Sequence, residues 1–264
     1  MHQIENTLIS CLAAYLRMSN VLSNCKTLQE NLPLMLTLFH HPMSSPSRYA
    51  RLILNEYAIP TNLIEEKEWN RRREFRAINL AGTVPVLLAE GETAICGASV
   101  ICEYLDETRG AFNHKNQLFP QNPLDRAEVR RLCDWFLIKF ENEITRPLIR
   151  ERIYKREIPA TQGGGAPDSS ILRTARTNIR PHMQYLNWLA ATRDWLGGFS
   201  LSYADFAAAA TASVLDYMGE LDWTLYPMAR DWYARLKSRP SFRPLLSDRI
   251  RGMAPIAHYA DLDF

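Results

Sequence analysis

Between Leu36 and Glu65 the chain spells a strand, a helix and a second strand in immediate succession, and that order restricts the fold more than any other feature. Leu36 to Phe39 is short and apolar, Ser47 to Tyr57 places Ala50, Leu52, Ile53 and Tyr57 at helical spacing, and Asn62 to Glu65 follows as a strand. Two strands joined by a helix lie parallel with a right-handed crossover, since a tight turn can join only antiparallel neighbours. The polar run Glu66 to Arg73 leads into a short helix near Arg72 to Ile78. Val84-Pro85-Val86-Leu87-Leu88 and Ala94-Ile95 then flank Glu90-Gly91-Glu92, which predicts a hairpin about a glycine turn. A helix over about Ala98 to Thr108 closes an α/β unit assigned to residues 35–109.

Residues 110–123 carry Gly, Asn, Gln and two prolines, the punctuation of a linker. Beyond it the pattern is helical, and residues 124–250 are expected to form an all-helical domain. Leu124 to Lys155 keeps helical periodicity through Val129, Leu132, Trp135, Phe136, Ile138 and Phe140, with Pro147 expected to kink or split it. A Gly-rich loop near Gln162 to Ser169 precedes a helix over about Ser170 to Ala191. Further helices are expected at Tyr203 to Met218, at Tyr226 to Ser238 and briefly after Phe242. Trp135, Phe136, Phe140, Trp188, Phe206 and Trp223 read as core, and residues 251–264 as a tail.

A chain of 264 residues with 47% apolar and 10% aromatic content can bury substantial cores. Lys and Arg total 31 against 29 Asp and Glu, so the net charge of +2 gives no overall reason to expect nucleic acid as a partner. The five cysteines lack CxxC or His/Cys ligand spacing, and His40 and His41 have no ligand-spaced partners. Neither a disulfide framework nor a metal site is expected, and a cytoplasmic location is the simpler reading. No apolar run approaches the roughly 20 residues of a membrane helix. Glu5 and Arg17 interrupt the apolar stretch Leu8 to Leu16, against a secretory signal. Residues 1–34 are expected to be an unstructured extension, a short extra helix or a misassigned start.

Three motifs in order bring a family into view. Ser44-Ser45-Pro46-Ser47-Arg48-Tyr49-Ala50-Arg51 sits at the turn from the first strand into the first helix, Thr83-Val84-Pro85 directly precedes a strand, and Ser202-Tyr203-Ala204-Asp205 has the spacing of a helix-capping box. With the order βαβαββα followed by helices, these resemble the cytosolic glutathione transferases. The resemblance implies a thioredoxin-like N-terminal domain followed by an all-helical C-terminal domain. It also implies a cis-proline at Pro85 that presents the Val84 backbone to the glutathione cysteinyl group, and a sulfur-facing hydroxyl at Ser44. A hydroxyl beside the positive end of a helix can stabilise a thiolate, but a serine there also serves simply as a helix cap.

One departure counts against glutathione chemistry. Where the family holds the γ-glutamyl group with an acidic or amide residue and a serine, this chain has Gly97 and Ala98, neither with a polar side chain. Two lost charge-assisted contacts, each about 1.5–3 kcal/mol, weaken such binding by orders of magnitude. Ser99, one residue on, could restore part of it. Ala204 to Tyr217, Trp232 to Asp248 and His258 to Phe264 narrow the resemblance to the FzlA family, glutathione-transferase-like proteins of alphaproteobacteria that bind the tubulin-like division protein FtsZ. That resemblance implies a homodimer that binds FtsZ or another division protein at the division site without a cofactor. The alternative is an active transferase that uses glutathione and Ser44.

Binding hot spots favour aromatics and arginines. Trp69, set among Glu65 to Arg73, is therefore a candidate contact, or else it folds back onto the neighbouring helix or the ligand pocket. Arg71 and Arg72 are candidates for meeting acidic segments, although a charge run is often only a solvated face. The tail offers Asp261, Asp263 and Phe264, a composition suited to docking unless it packs back on the helical domain.

Overall fold

The computed structural model describes residues 35–89, 93–110 and 117–262. From Leu36 on, the described residues form one compact unit, and residues 1–34, the turn expected at 90–92, residues 111–116 of the expected linker and Asp263 with Phe264 lie outside the described residues.

The βαβ opening is present. Strand β1 (Leu36–His40) pairs in parallel with β2 (Thr61–Glu65), Leu38 opposite Leu63, and helix α1 (Ser45–Glu56) makes the crossover. After a single 3-10 turn (Glu68–Asn70) and the short α2 (Arg73–Ile78), β3 (Val86–Leu88) pairs antiparallel with both β1 and β4 (Ala94–Cys96). The sheet order is β2-β1-β3-β4, a mixed sheet whose central strands β1 and β3 carry the apolar residues Leu38, Val86 and Leu87, all buried. Helix α3 (Ala98–Leu105) runs on through a wide turn over Asp106–Gly110.

The helical half starts with α4 (Pro123–Asp134), capped by the Asn122 side chain, which accepts from the Leu124 amide at 2.8 Å. Contrary to the expectation for Pro147, the helix neither splits nor stops. It continues through a π-turned stretch (Trp135–Thr145), α5 (Arg146–Ile149), a second π stretch (Arg150–Tyr154) and α6 (Lys155–Glu157). Proline has no amide to give the carbonyl four residues back, which is that of Glu143. Asn178 supplies the donor instead, its Nδ2 reaching the Glu143 carbonyl at 3.3 Å, and the wide turns before Pro147 take up the misfit.

Helix α7 (Ser169–Thr192), capped by Asp168, α8 (Tyr203–Met218), α9 (Pro227–Lys237) and the short α10 (Arg243–Leu246) complete the set. Every residue of α8 is buried, and its run Ala207 to Ala210 lets neighbouring helices approach closely. The predicted capping box is formed: Asp205 accepts from the Ser202 amide at 2.9 Å, and the same carboxylate takes the Leu196 amide and the Trp232 indole N–H. Helix α1 packs on α8. Of the aromatics expected in the core, Phe136, Phe140, Phe206 and Trp223 are buried, Trp135 is partly buried, and Trp188 is a correction, 53% exposed on the outer face of α7. Helical spacing marks a stripe without saying how wide the covered part is. Among the described residues no helix is long and apolar enough to cross a membrane.

Candidate functional site

The turn from β1 into α1 sets the first wall. Ser44 is the N-cap of α1, its Oγ accepting from the Ser47 amide at 3.3 Å, and it is 9% exposed. The capping function foreseen for it is thus in use. Next to it, Ser45 donates to Thr145 at 3.2 Å, tying the start of α1 to the helical rod. His41 is buried, and its Nδ1 accepts from the Met43 amide and lies 3.2 Å from the Tyr154 hydroxyl. An imidazole that receives the Met43 N–H must be unprotonated at Nδ1. Burial first, then the nearby charges of His40, Lys67 and Arg48, push its pKa down to about 3.

The second wall is the turn before β3. The Val84–Pro85 peptide is cis, as the resemblance implied. The Val84 amide does not stand open: it donates to Glu68 Oε1 at 2.8 Å. Glu68 therefore occupies from within the backbone group that the resemblance assigns to the glutathione cysteinyl moiety. Behind this bond lies a cavity of about 200 Å³ lined by Pro46, Glu68, Val84, Glu141, Arg146 and Tyr154 among others. Ser44 does not line it. Burial raises the carboxyl pKa of both Glu68 and Glu141, opposed at Glu68 by the Val84 hydrogen bond and at Glu141 by the Thr145 and Ser45 hydroxyls.

Next to this turn lies the start of α3. Gly97 is the N-cap with φ of 94°, no side chain caps the helix, and the Gly97 amide bonds the Pro85 carbonyl at 3.1 Å. Ser99 is exposed, and among the described residues its hydroxyl makes no hydrogen bond.

Trp69, in the single 3-10 turn, is half-buried. Its ring lies 4.3 Å from Tyr154 and 5.6 Å from His41, with the Lys67 ammonium 5.9 Å from its centre. The indole has folded back against Tyr154 and His41 while keeping part of its surface in solvent. Arg71 follows in the left-handed region at φ 49° and is exposed. Arg72 also lies at the surface, where it grips buried Glu66 with two nitrogens, the shorter contact 2.6 Å. Outside this pair of walls opens a groove of about 720 Å³ containing Trp69, Arg71, Arg76, Arg146, Arg150 and Tyr154.

The tail is anchored at its base. Tyr259 is fully buried, receives the Arg48 guanidinium at 3.0 Å and donates to the Leu245 carbonyl at 3.2 Å. Asp261 and Leu262 beyond it are exposed. Sequence reasoning passed over Glu68, Arg146, Arg150 and Tyr154. The last three recur every fourth residue on one helix face, a signal that was available.

Comparison with known proteins agrees with this architecture. Residues 38–113 match the model of the glutathione S-transferase N-terminal domain. FtsZ-localized protein A of Caulobacter vibrioides (strain NA1000 / CB15N) is 42% identical over 231 residues, covering 86% of this chain and 98% of that protein. A crystal structure described as a glutathione S-transferase from Sinorhizobium meliloti 1021 superposes with a TM-score of 0.86 at 58% identity, over 87% of this chain and 100% of its own. The structure of FzlA from C. crescentus superposes with a TM-score of 0.80 at 42% identity, over 88% of this chain and 100% of its own.

Proposed function

Because this chain belongs to the FtsZ-localized protein A family of glutathione S-transferase-fold proteins, we propose that it binds FtsZ filaments at the division site and supports constriction without glutathione chemistry. The observation that carries the second half of the reading is the Glu68–Val84 hydrogen bond of 2.8 Å, which closes the pocket from within. A tripeptide would have to displace a carboxylate from an amide and then find no polar side chain at Gly97 or Ala98. The partner surface in this reading is built from Trp69, Arg71 and Arg72, with Asp261, Asp263 and Phe264 as a second contact, and the protein acts in the cytoplasm as a homodimer. Co-sedimentation with GTP-assembled FtsZ tests it: the wild-type chain pellets with filaments, and Trp69→Ala, which removes a half-buried aromatic hot spot, reduces the bound fraction about ten-fold or more. A wild-type chain left in the supernatant at saturating filament would overturn the reading.

A second reading, an active glutathione transferase, is favoured by the Ser44 hydroxyl at the positive end of α1 and by the name borne by the Sinorhizobium meliloti structure. Turnover of an aryl halide with glutathione that disappears in Ser44→Ala decides in its favour.

A further inference from the structure

We propose that the groove beside Trp69 is a receptor for an acidic, extended peptide segment, with Arg71 and Arg76 gripping it from one wall and Arg146 and Arg150 from the other. This deepens the reading of the chain as a filament-binding protein by naming the chemistry of the segment it would hold. The four arginines come from elements far apart in sequence, and all four are exposed. Arg71 follows the 3-10 turn and Arg76 lies in α2, whereas Arg146 and Arg150 stand one helical turn apart on α5 and the stretch after it. Among the described residues, Arg71, Arg76 and Arg150 make no side-chain hydrogen bond or ion pair. Neighbouring arginines, by contrast, are committed: Arg72 to Glu66, Arg152 to Glu220 and Arg156 to the Gly252 carbonyl.

Among the described residues that line the groove, Glu68 is the only carboxylate; it accepts from the Val84 amide and lies within electrostatic reach of Arg146 alone of the four. Like charges gathered around one concavity repel one another, and an incoming carboxylate removes that repulsion while gaining a fork-shaped donor on either side. The volume, about 720 Å³, suits a few side chains rather than a folded surface. A single nucleic-acid strand fits less well. Such sites need open aromatic faces for base stacking, whereas here Trp69 and Tyr154 are spent on each other at 4.3 Å and on His41.

The test uses the full chain and a fluorescein-labelled poly-aspartate decapeptide, with a poly-asparagine decapeptide and a single-stranded oligothymidine as competitors, read by fluorescence anisotropy. The expected result is saturable binding of the aspartate peptide that weakens with added salt, no displacement by the asparagine peptide, and a loss of about ten-fold or more in Arg146→Glu/Arg150→Glu. Both positions are exposed, and an unchanged melting temperature of the double variant verifies that the fold is intact. Equal binding by wild type and double variant, effective competition by asparagine, or tighter binding of the oligothymidine overturns the proposal. Filament co-sedimentation of the same proteins separates the two readings. If wild-type chain fails to pellet with FtsZ but still takes the aspartate peptide through these arginines, the partner is wrong and the groove chemistry stands. If wild type and double variant pellet equally, the filament reading stands and the groove proposal falls.

Discussion

At the scale of single residues, the site is governed by buried groups that hold its backbone amides and titrate away from their ordinary range. Glu68 is the clearest. Replacing it with alanine frees the Val84 amide, now bonded at 2.8 Å, and should raise glutathione affinity, measured by titration calorimetry, by up to about ten-fold, the worth of one recovered hydrogen bond. Affinity unchanged within error would mean that Glu68 is not what bars the ligand. His40 and His41 set the acid limit. Burial holds their pKa values down at about 4 and about 3, whereas in the unfolded chain they titrate at the ordinary value of about 6.5. A depressed histidine pKa means that the unfolded state takes up protons first, so stability is lost as pH falls below the unfolded value. By pH 5 each histidine should cost about 2 kcal/mol. Urea midpoints between neutral pH and pH 5 should fall less steeply in His41→Asn, which keeps an acceptor for the Met43 amide. An identical slope would refute the assignment.

Among the elements, the helical rod over 123–157 shows what sequence periodicity can and cannot disclose. Its existence follows from Val129, Leu132, Phe136 and Phe140, all buried. The break expected at Pro147 does not occur, because the donor that rescues the Glu143 carbonyl belongs to Asn178, on another helix, and no local pattern announces a partner so distant. The strands and the box at Ser202 and Asp205 were legible because their signals are local: a short apolar run, a turn, a spacing of three. The groove was not, because Arg71 and Arg76 meet Arg146 and Arg150 only through the fold, and the plug at Val84 depends on one rotamer of Glu68. Trp188 fell between, a residue with the right spacing at the edge of its stripe. The Pro147 account can be checked by a double-mutant cycle in urea. Asn178→Ala should cost about 1 kcal/mol in the natural sequence and less in a Pro147→Ala background, where the restored amide can serve Glu143. Strict additivity would show that the Asn178 bond does not compensate for the proline.

Across the whole molecule, one buried cation joins regions that the sequence presents as separate. Arg48 on α1 reaches Ser213 of α8 at 2.8 Å and Tyr259 of the tail at 3.0 Å, and it lies 3.8 Å from Asp248. Asp248 also takes both terminal nitrogens of Arg51, and Lys237, paired with Asp216 at 3.4 Å, reaches the His258 carbonyl. The α/β part, the helical part and the base of the tail are thus held by shared charges with little exposure, where removing one partner strands another. The tail therefore divides at Tyr259, which is buried with the half-buried Met253 and Ile256 packed against the core, whereas Asp261 and Leu262 stand in solvent. Tyr259→Phe, which keeps the ring and deletes the hydroxyl facing Arg48, should cost about 1–3 kcal/mol in urea denaturation, and Tyr259→Ala about 3–5 kcal/mol. Leu262→Ala, beyond the anchor, should stay within about 0.5 kcal/mol of the natural chain. Because Arg48 ties both halves, the loss in Tyr259→Ala should appear in one transition seen alike by far-ultraviolet circular dichroism and tryptophan fluorescence. Two separated transitions, or an alanine variant as stable as the natural chain, would place the tail outside the cooperative unit and remove the basis for treating Asp261 as a group presented from a fixed platform.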